Sequence, residues 1–257
     1  LIAAIRFLTL IPIPIPIPAA SHQQGDTENE AEEFAIPKMM PWFPAVGALI
    51  GVILLVAGWI SGVFWGEAAR AVVIVVVWAI VTAGFHLDGL SDTFDAVMSW
   101  RPQARKLEIM KDSRIGVMGA LALIAVLLLK CVWLYDVSSG EGGVGWWQAV
   151  LLAPIIGRWA NLCGIFWFPA AREGGLGRTF HRDIAPNQFL VPTIAVGVAT
   201  LVIGQAAGVV AMLFALGGTY LLAKWWTRDL GGLTGDTYGA MCEIAETIVL
   251  AAMAAAG

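Results

Sequence analysis

The sequence predicts an all-α, polytopic integral membrane helical bundle, and three observations carry that prediction. The 257-residue chain is 59% hydrophobic and only 13% charged, with a mean hydropathy of +0.79, whereas soluble domains carry roughly 25% charged residues. Apolar runs of the length a spanning helix needs, about 20 residues, recur near 42–64, 67–86, 116–136, 146–168, 189–207, 208–226 and 238–256. Lysine and arginine are concentrated in alternate connections between those runs. The reading is therefore about seven transmembrane helices in a single membrane-embedded domain over residues 1–257.

Residues 1–10 are apolar with Arg6 near the front, which predicts an interfacial or re-entrant helix. A signal peptide is the rival reading. Alternating proline in IPIPIPIP (11–18) opposes a helical apolar core there, because each proline removes an N–H and clashes with the preceding turn. Residues 19–38 are polar and acidic and read as a loop. Gly204 and Gly208 mark the turn between the fifth and sixth runs.

The connections decide orientation. Loop 87–115 holds Arg101, Arg105, Lys106, Lys111 and Arg114; loop 169–188 holds Arg172, Arg178 and Arg182; the turn at 224–237 holds Lys224 and Arg228. Connections near 65, 137–145 and 207 hold none, although Arg70 follows just inside the next run. Strict alternation puts the basic loops on one side, and the positive-inside rule makes that side cytoplasmic. All the polar motifs fall on the same side, as expected of an enzyme of the membrane face. A carrier places its key polar groups nearer the midplane. The formal charge of −4, with no long basic run, argues against nucleic acid. Cys131, Cys163 and Cys242 lie in apolar runs without CxxC spacing and read as buried hydrophobes. Trp42, Trp100, Trp146, Trp147, Trp225 and Trp226 read by default as an interfacial belt.

The candidate chemistry begins with FHLDGLSDTFD (85–95). Asp88, Asp92 and Asp95 are spaced i, i+4, i+7 and share one helical stripe. Three like charges on one stripe repel, so the stripe calls for a cation, a protonation change or nearby Lys and Arg; for a cation, hard oxygen ligands favour magnesium, calcium or manganese. A solvated acidic helix start is the alternative. Gly89 permits a ligand to approach the backbone. His86 is a candidate base or metal ligand, or a cap at the membrane end of its helix. In RKLEIMKDSRIGVMG (105–119), Lys111, Ser113 and Arg114 precede a span, where cations and backbone donors suit phosphate; plain positive-inside charge is the alternative. REGGLGRTF (172–180) offers a glycine-rich segment with Arg178 but lacks a Walker ending. In GGLTGDTYGAMCEIAE (231–246), Asp236 precedes the last run and Glu243 and Glu246 lie inside it. Ionisable groups within spans are costly and mark function. Arg158 and Asn161 are the polar groups placed to meet those acids, or to meet a substrate; a purely charge-satisfying pair is the other reading.

These motifs, HLDGLSDTFDA, RKLEIMKDSRIGVMGA, REGGLG and GGLTGDTYGA, with FLTLIPIP at the front, closely resemble the cobalamin synthase family in matching order from about residue 4 to the end. The extended IPIPIPIP and the acidic loop depart from its pattern outside the chemical motifs. The resemblance implies an adenosylcobinamide-GDP ribazoletransferase. Such an enzyme joins adenosylcobinamide-GDP to α-ribazole or its 5′-phosphate, releases GMP and requires Mg²⁺. It also implies a multi-pass protein of a bacterial or archaeal cytoplasmic membrane, with the lipid bilayer as partner; a homo-oligomer is compatible with these features. On that reading Asp88, Asp92 and Asp95 hold metal, with Asp236, Glu243 and Glu246 completing the site. Lys111, Ser113, Arg114 and Arg178 meet phosphate, and an aspartate, His86 or an acid of the last run takes the acceptor's proton. A membrane phosphotransferase acting on a lipid alcohol and an ion-coupled transporter are the competing classes.

Overall fold

The computed structural model describes residues 1–12, 38–139, 144–171 and 185–257. Nine helices follow one another among them: α1 Ile2–Leu8, α2 Phe43–Phe64, α3 Glu67–Val81, α4 Phe85–Val97, α5 Gln103–Ile109, α6 Val117–Ser139, α7 Trp146–Trp167, α8 Pro186–Leu230 and α9 Gly235–Ala254. A 3-10 turn, Met40–Trp42, leads into α2. The IPIPIPIP segment beyond residue 12, the acidic loop to residue 37, and REGGLGRTF lie outside the described residues.

Five helices are long and apolar enough to cross a bilayer, and α3 with α4 makes a sixth if that bent pair is one span. The 45-residue α8 is two arms. Gln205 breaks it with φ 52° and ψ −140°. A Cβ on Gly208 would lie 2.8 Å from the carbonyl of Thr200, although eight residues of straight helix separate their ends by about 12 Å. The arms therefore fold back on each other at the expected glycines. The expected run 67–86 differs more. Its helix stops at Val81, and α4 leaves at 89°. Ala83 and Gly84 both have positive φ, 53° and 66°, which no helix continues through. Apolar composition ran on past this corner and concealed it.

α7 is the axis of the bundle, with α9 beside it; both are buried over most of their length. α2 reaches α7 through small residues. A Cβ on Gly47 would collide with the backbone of Pro154, and one on Gly51 would lie 3.1 Å from Leu151 Cα. Without a strong hydrophobic drive between helices in lipid, this close backbone approach is the main source of association.

The connections sort into two ends. At one end α5 is tied to the end of α8: Gln103 Nε2 donates to the carbonyl of Leu230, and Lys106 meets Asp229 at 2.6 Å. There too the Ala170–Leu233 bridge joins the end of α7 to the α8–α9 turn. At the other end Arg70 lies over the Trp146 ring, and Gln148 donates to the carbonyl of Ile203. Trp226 is fully buried rather than part of an interfacial belt, whereas Trp100 is almost wholly exposed.

Gly47→Leu should lower the melting temperature in detergent, by a loss of about 1–3 kcal/mol for overpacking, while Gly217→Leu, where a side chain meets open space, should leave it nearly unchanged. Differential scanning fluorimetry of the two purified variants separates these outcomes.

Candidate functional site

α4 lies across one end of the bundle at 89° to α3 and is not among the five helices long and apolar enough to cross a bilayer on their own. Its middle rests on the start of α9: a Cβ on Gly89 would lie 2.7 Å from the carbonyl of Asp236, and one on Gly239 would lie 3.1 Å from the carbonyl of His86. Gly89 therefore serves helix–helix approach rather than ligand access. The start of α9 is itself well formed, with Gly231 (φ +80°) ending α8 and Thr234 capping the backbone N–H of Thr237. This packing brings Asp236 to the acidic stripe of α4.

Asp88 is exposed; Asp92, Asp95 and Asp236 are half-buried. Partial burial raises the pKa of Asp92 to about 7, helped by the charges of Asp88, Asp236, Asp95 and Asp112. Both effects disfavour the ionised form. The four expected acids thus form one electrostatic group, and Asp112 joins it.

Asp95 has a distinct task. Its Oδ2 accepts from the N–H of Gly116 at 2.6 Å, and its Oδ1 from the N–H of Gly119 at 2.8 Å. It caps the start of α6 from a neighbouring helix, satisfying donors that α6 cannot satisfy itself. Gly116 and Gly119 leave no room for a Cβ beside that carboxylate or the Ser91 hydroxyl.

The segment between α5 and α6 borders the stripe. Lys111 and Ser113 are exposed. Arg114 is exposed as well, but its guanidinium holds Asp112 at 2.5 Å. This pair lowers the Asp112 pKa to about 2 and raises that of Arg114. Arg178 lies outside the described residues.

The two glutamates deeper in α9 stand apart from this group. Glu243 and Glu246 are buried, and Lys130 of α6 meets both, at 2.7 and 2.5 Å. Arg158 of α7 is wholly buried and bonds to Glu246. Its other terminal nitrogen lies 3.3 Å from Nδ1 of His86. Lys130 also lies 4.2 Å from the centre of the Trp78 ring. The charge-satisfying reading of Arg158 thus describes its contacts. Glu243 likewise faces Lys130. Asn161 is buried, with Oδ1 lacking a partner among the described residues. It lines a small cavity of about 20 Å³ with His86 and Tyr238. Lys130 is the functional candidate that sequence reasoning passed over. A single lysine inside ALALIAVLLLKCVWLY was signal enough.

No three His, Cys, Asp or Glu among the described residues stand close enough to hold a metal as they are. The donor chemistry nonetheless fits a hard divalent cation. The stripe offers only carboxylate oxygen, and the charges that raise Asp92 come from four other carboxylates.

A model of the cobalamin-5-phosphate synthase family matches residues 1–254. The chain is 53% identical over 250 residues to a protein of Roseiflexus sp. (strain RS-1), covering 97% of this chain and 87% of the relative. It is 46% identical over 253 residues to one of Herpetosiphon aurantiacus, covering 98% and 94%. It is 34% identical over 251 residues to one of Clostridium acetobutylicum, covering 97% and 93%. All three relatives are named adenosylcobinamide-GDP ribazoletransferase. No solved structure matches.

The Asp92 pKa has a consequence for stability. Between the ordinary carboxylate value of 3.8 and about 7, the folded chain binds a proton that the unfolded chain has released. Its contribution favours the fold at low pH and is lost as pH rises through about 7. In chelator, the melting temperature should fall from about pH 5 to pH 8, and Asp92→Asn should flatten that fall. A variant whose melting curve tracks the native protein across the range would contradict the electrostatic reading.

Proposed function

The chain belongs to the cobalamin-5-phosphate synthase family, and on that footing we propose that it is an adenosylcobinamide-GDP ribazoletransferase working with Mg²⁺ at the cytoplasmic face of a bacterial or archaeal cytoplasmic membrane. The reaction joins adenosylcobinamide-GDP to α-ribazole or its 5′-phosphate and releases GMP. The observation that carries the site assignment is the convergence of Asp88, Asp92 and Asp236 at one end of the bundle, with the Asp92 pKa raised by partial burial and then by its acidic neighbours.

Asp88, Asp92 and Asp236 would hold the metal. Asp95 is less suited, since each of its oxygens already accepts from the start of α6. The bound cation would neutralise donor phosphate and ease departure of GMP. Exposed Lys111 and the Ser113 hydroxyl border the stripe and suit phosphate oxygens. Arg114 contributes once substrate competes with Asp112 for its guanidinium. A ribose hydroxyl oxygen of the acceptor bonds to the phosphorus that carries the cobinamide. The bond from that phosphorus to the bridging oxygen breaks, and GMP leaves with the electron pair. The hydroxyl proton passes to a carboxylate. Glu243 and Glu246 are buried against cations, and His86 is buried with Nδ1 beside Arg158, so the aspartates of the face are the accessible acceptors, Asp88 the most exposed among them.

Purified Asp88→Asn and Asp92→Asn should each lose at least about 100-fold in GMP release, with melting temperatures close to the native value; this is the scale expected when a metal or acid–base group is removed. Near-native turnover in both, across a magnesium titration, removes the stripe from the chemistry. Release of CMP from a CDP-activated donor in place of GMP would point to a different acceptor class.

A further inference from the structure

We propose that the small cavity between α4, α7 and α9 is a binding site for one water molecule, held between the imidazole of His86 and the side-chain amide of Asn161. The site does not depend on the assignment of any carboxylate to metal.

The cavity measures about 20 Å³. One water needs about 10–15 Å³ on that measure, so a single water fits and an organic group does not. The wall toward α1 and α2 is aromatic. Phe7 stacks on Phe43 with ring centres 6.3 Å apart and meets Phe85 edge-on at 5.3 Å. Those rings offer the cavity no hydrogen-bonding group. His86, Asn161 and Tyr238 are the polar side chains that line it. Asn161 is 3% and His86 2% exposed. The amide oxygen of Asn161 has no partner among the described residues. Buried polar atoms are nearly always bonded, to protein or to ordered water.

His86 supplies the complement. Its Nδ1 lies 3.3 Å from a terminal nitrogen of Arg158. A guanidinium has donors and no acceptor, and a doubly protonated ring would turn an N–H toward it. Nδ1 therefore accepts, and the neutral ring carries its proton on Nε2. The bond to Arg158 is the ring's only hydrogen bond among the described residues. A donor and an acceptor, neither with a protein partner, thus belong to two side chains of one cavity, and they do not bond each other. A water accepts from Nε2–H and donates to Oδ1. Because water does both, the site holds equally with the amide of Asn161 turned over.

The register of α7 produces this arrangement. Arg158 and Asn161 are three residues apart, so they share a face and are offset by about 4.5 Å along the axis. Arg158 engages one nitrogen of the imidazole, and Asn161 lies nearly a turn beyond, toward the end where α4 crosses. Gly239 lets α4 come this close, since a Cβ there would lie 3.1 Å from the carbonyl of His86. The water extends the polar line that runs from Glu246 through Arg158 to His86 and returns it to α7. His86 and Asn161 are satisfied through solvent rather than through substrate.

The test is water-edited solid-state NMR of the full-length protein, labelled with ¹⁵N-histidine and reconstituted in lipid vesicles. The chain has three histidines, His22, His86 and His181, and the His86 signals are those lost in His86→Asn. The native protein should show a bare Nδ1 and a protonated Nε2 for His86, with magnetisation passing from water to Nε2–H. Asn161→Leu keeps the shape of the side chain, replaces the amide by methyl groups and crowds the cavity. It should lose that transfer and keep Nδ1 bare. A proton on Nδ1, no transfer from water to Nε2–H in the native protein, or undiminished transfer in Asn161→Leu overturns the proposal. Should Asn161→Leu fail to fold, the native spectra decide alone, since absence of the transfer or the opposite tautomer refutes the site.

Discussion

Two glutamates and two cations, enclosed by the bundle, are the constraint on which the rest of this structure depends. Glu243 and Glu246 of α9 face Lys130 of α6 and Arg158 of α7, and all four side chains are essentially inaccessible. Taking such charges out of water costs several kcal/mol per ion, so a buried pair adds little net stability over an apolar replacement. What it does impose is register. The set is neutral only as a whole, and loss of any one member leaves a charge unpaired in an apolar surrounding, at about 3–5 kcal/mol. Three helices are thereby fixed in depth relative to one another, and Trp78 of α3 and His86 of α4 join through Lys130 and Arg158.

That register becomes a site because α4 does not continue the line of α3. The positive φ at Ala83 and Gly84 turns the chain by about a right angle, and the acidic stripe is laid across the starts of α6 and α9. Each contact along α4 has its own cause. Asp95 satisfies backbone donors of α6, Gly89 permits the backbone of α9 to come close, and His86 points down to Arg158. The side chains that these contacts leave over include Asp88, which is exposed, and Asp92, which is half-buried. The chemistry of the face is thus a remainder after packing has used the other positions of the helix.

Most of the architecture was legible in the sequence, for reasons specific to lipid. Length and apolarity locate spans because no backbone polar group is left unsatisfied in a bilayer, and Gly204 and Gly208 announced the turn of α8. The acidic stripe was legible from spacing alone, and Asp236 from its motif. The corner at 82–84 was not, since an apolar run carries no record of the direction in which it bends. Nor was the separate task of Asp95, because a cap donated by another helix depends on tertiary contact rather than on local order. Glu243 illustrates a further limit. Its spacing from Asp236 put it near the same stripe, but two turns of helix carry it about 10 Å deeper, where Lys130 meets it.

The division of charge between depth and surface bears on why the face is reactive. The buried cations are committed to Glu243 and Glu246, and Arg114 is committed to Asp112. Partial burial, and then the charges of neighbouring carboxylates, raise the Asp92 pKa to about 7. An acid so placed holds a proton near neutrality until a stronger positive charge displaces it. On the proposed reading, a divalent cation held by Asp88, Asp92 and Asp236 would supply that charge.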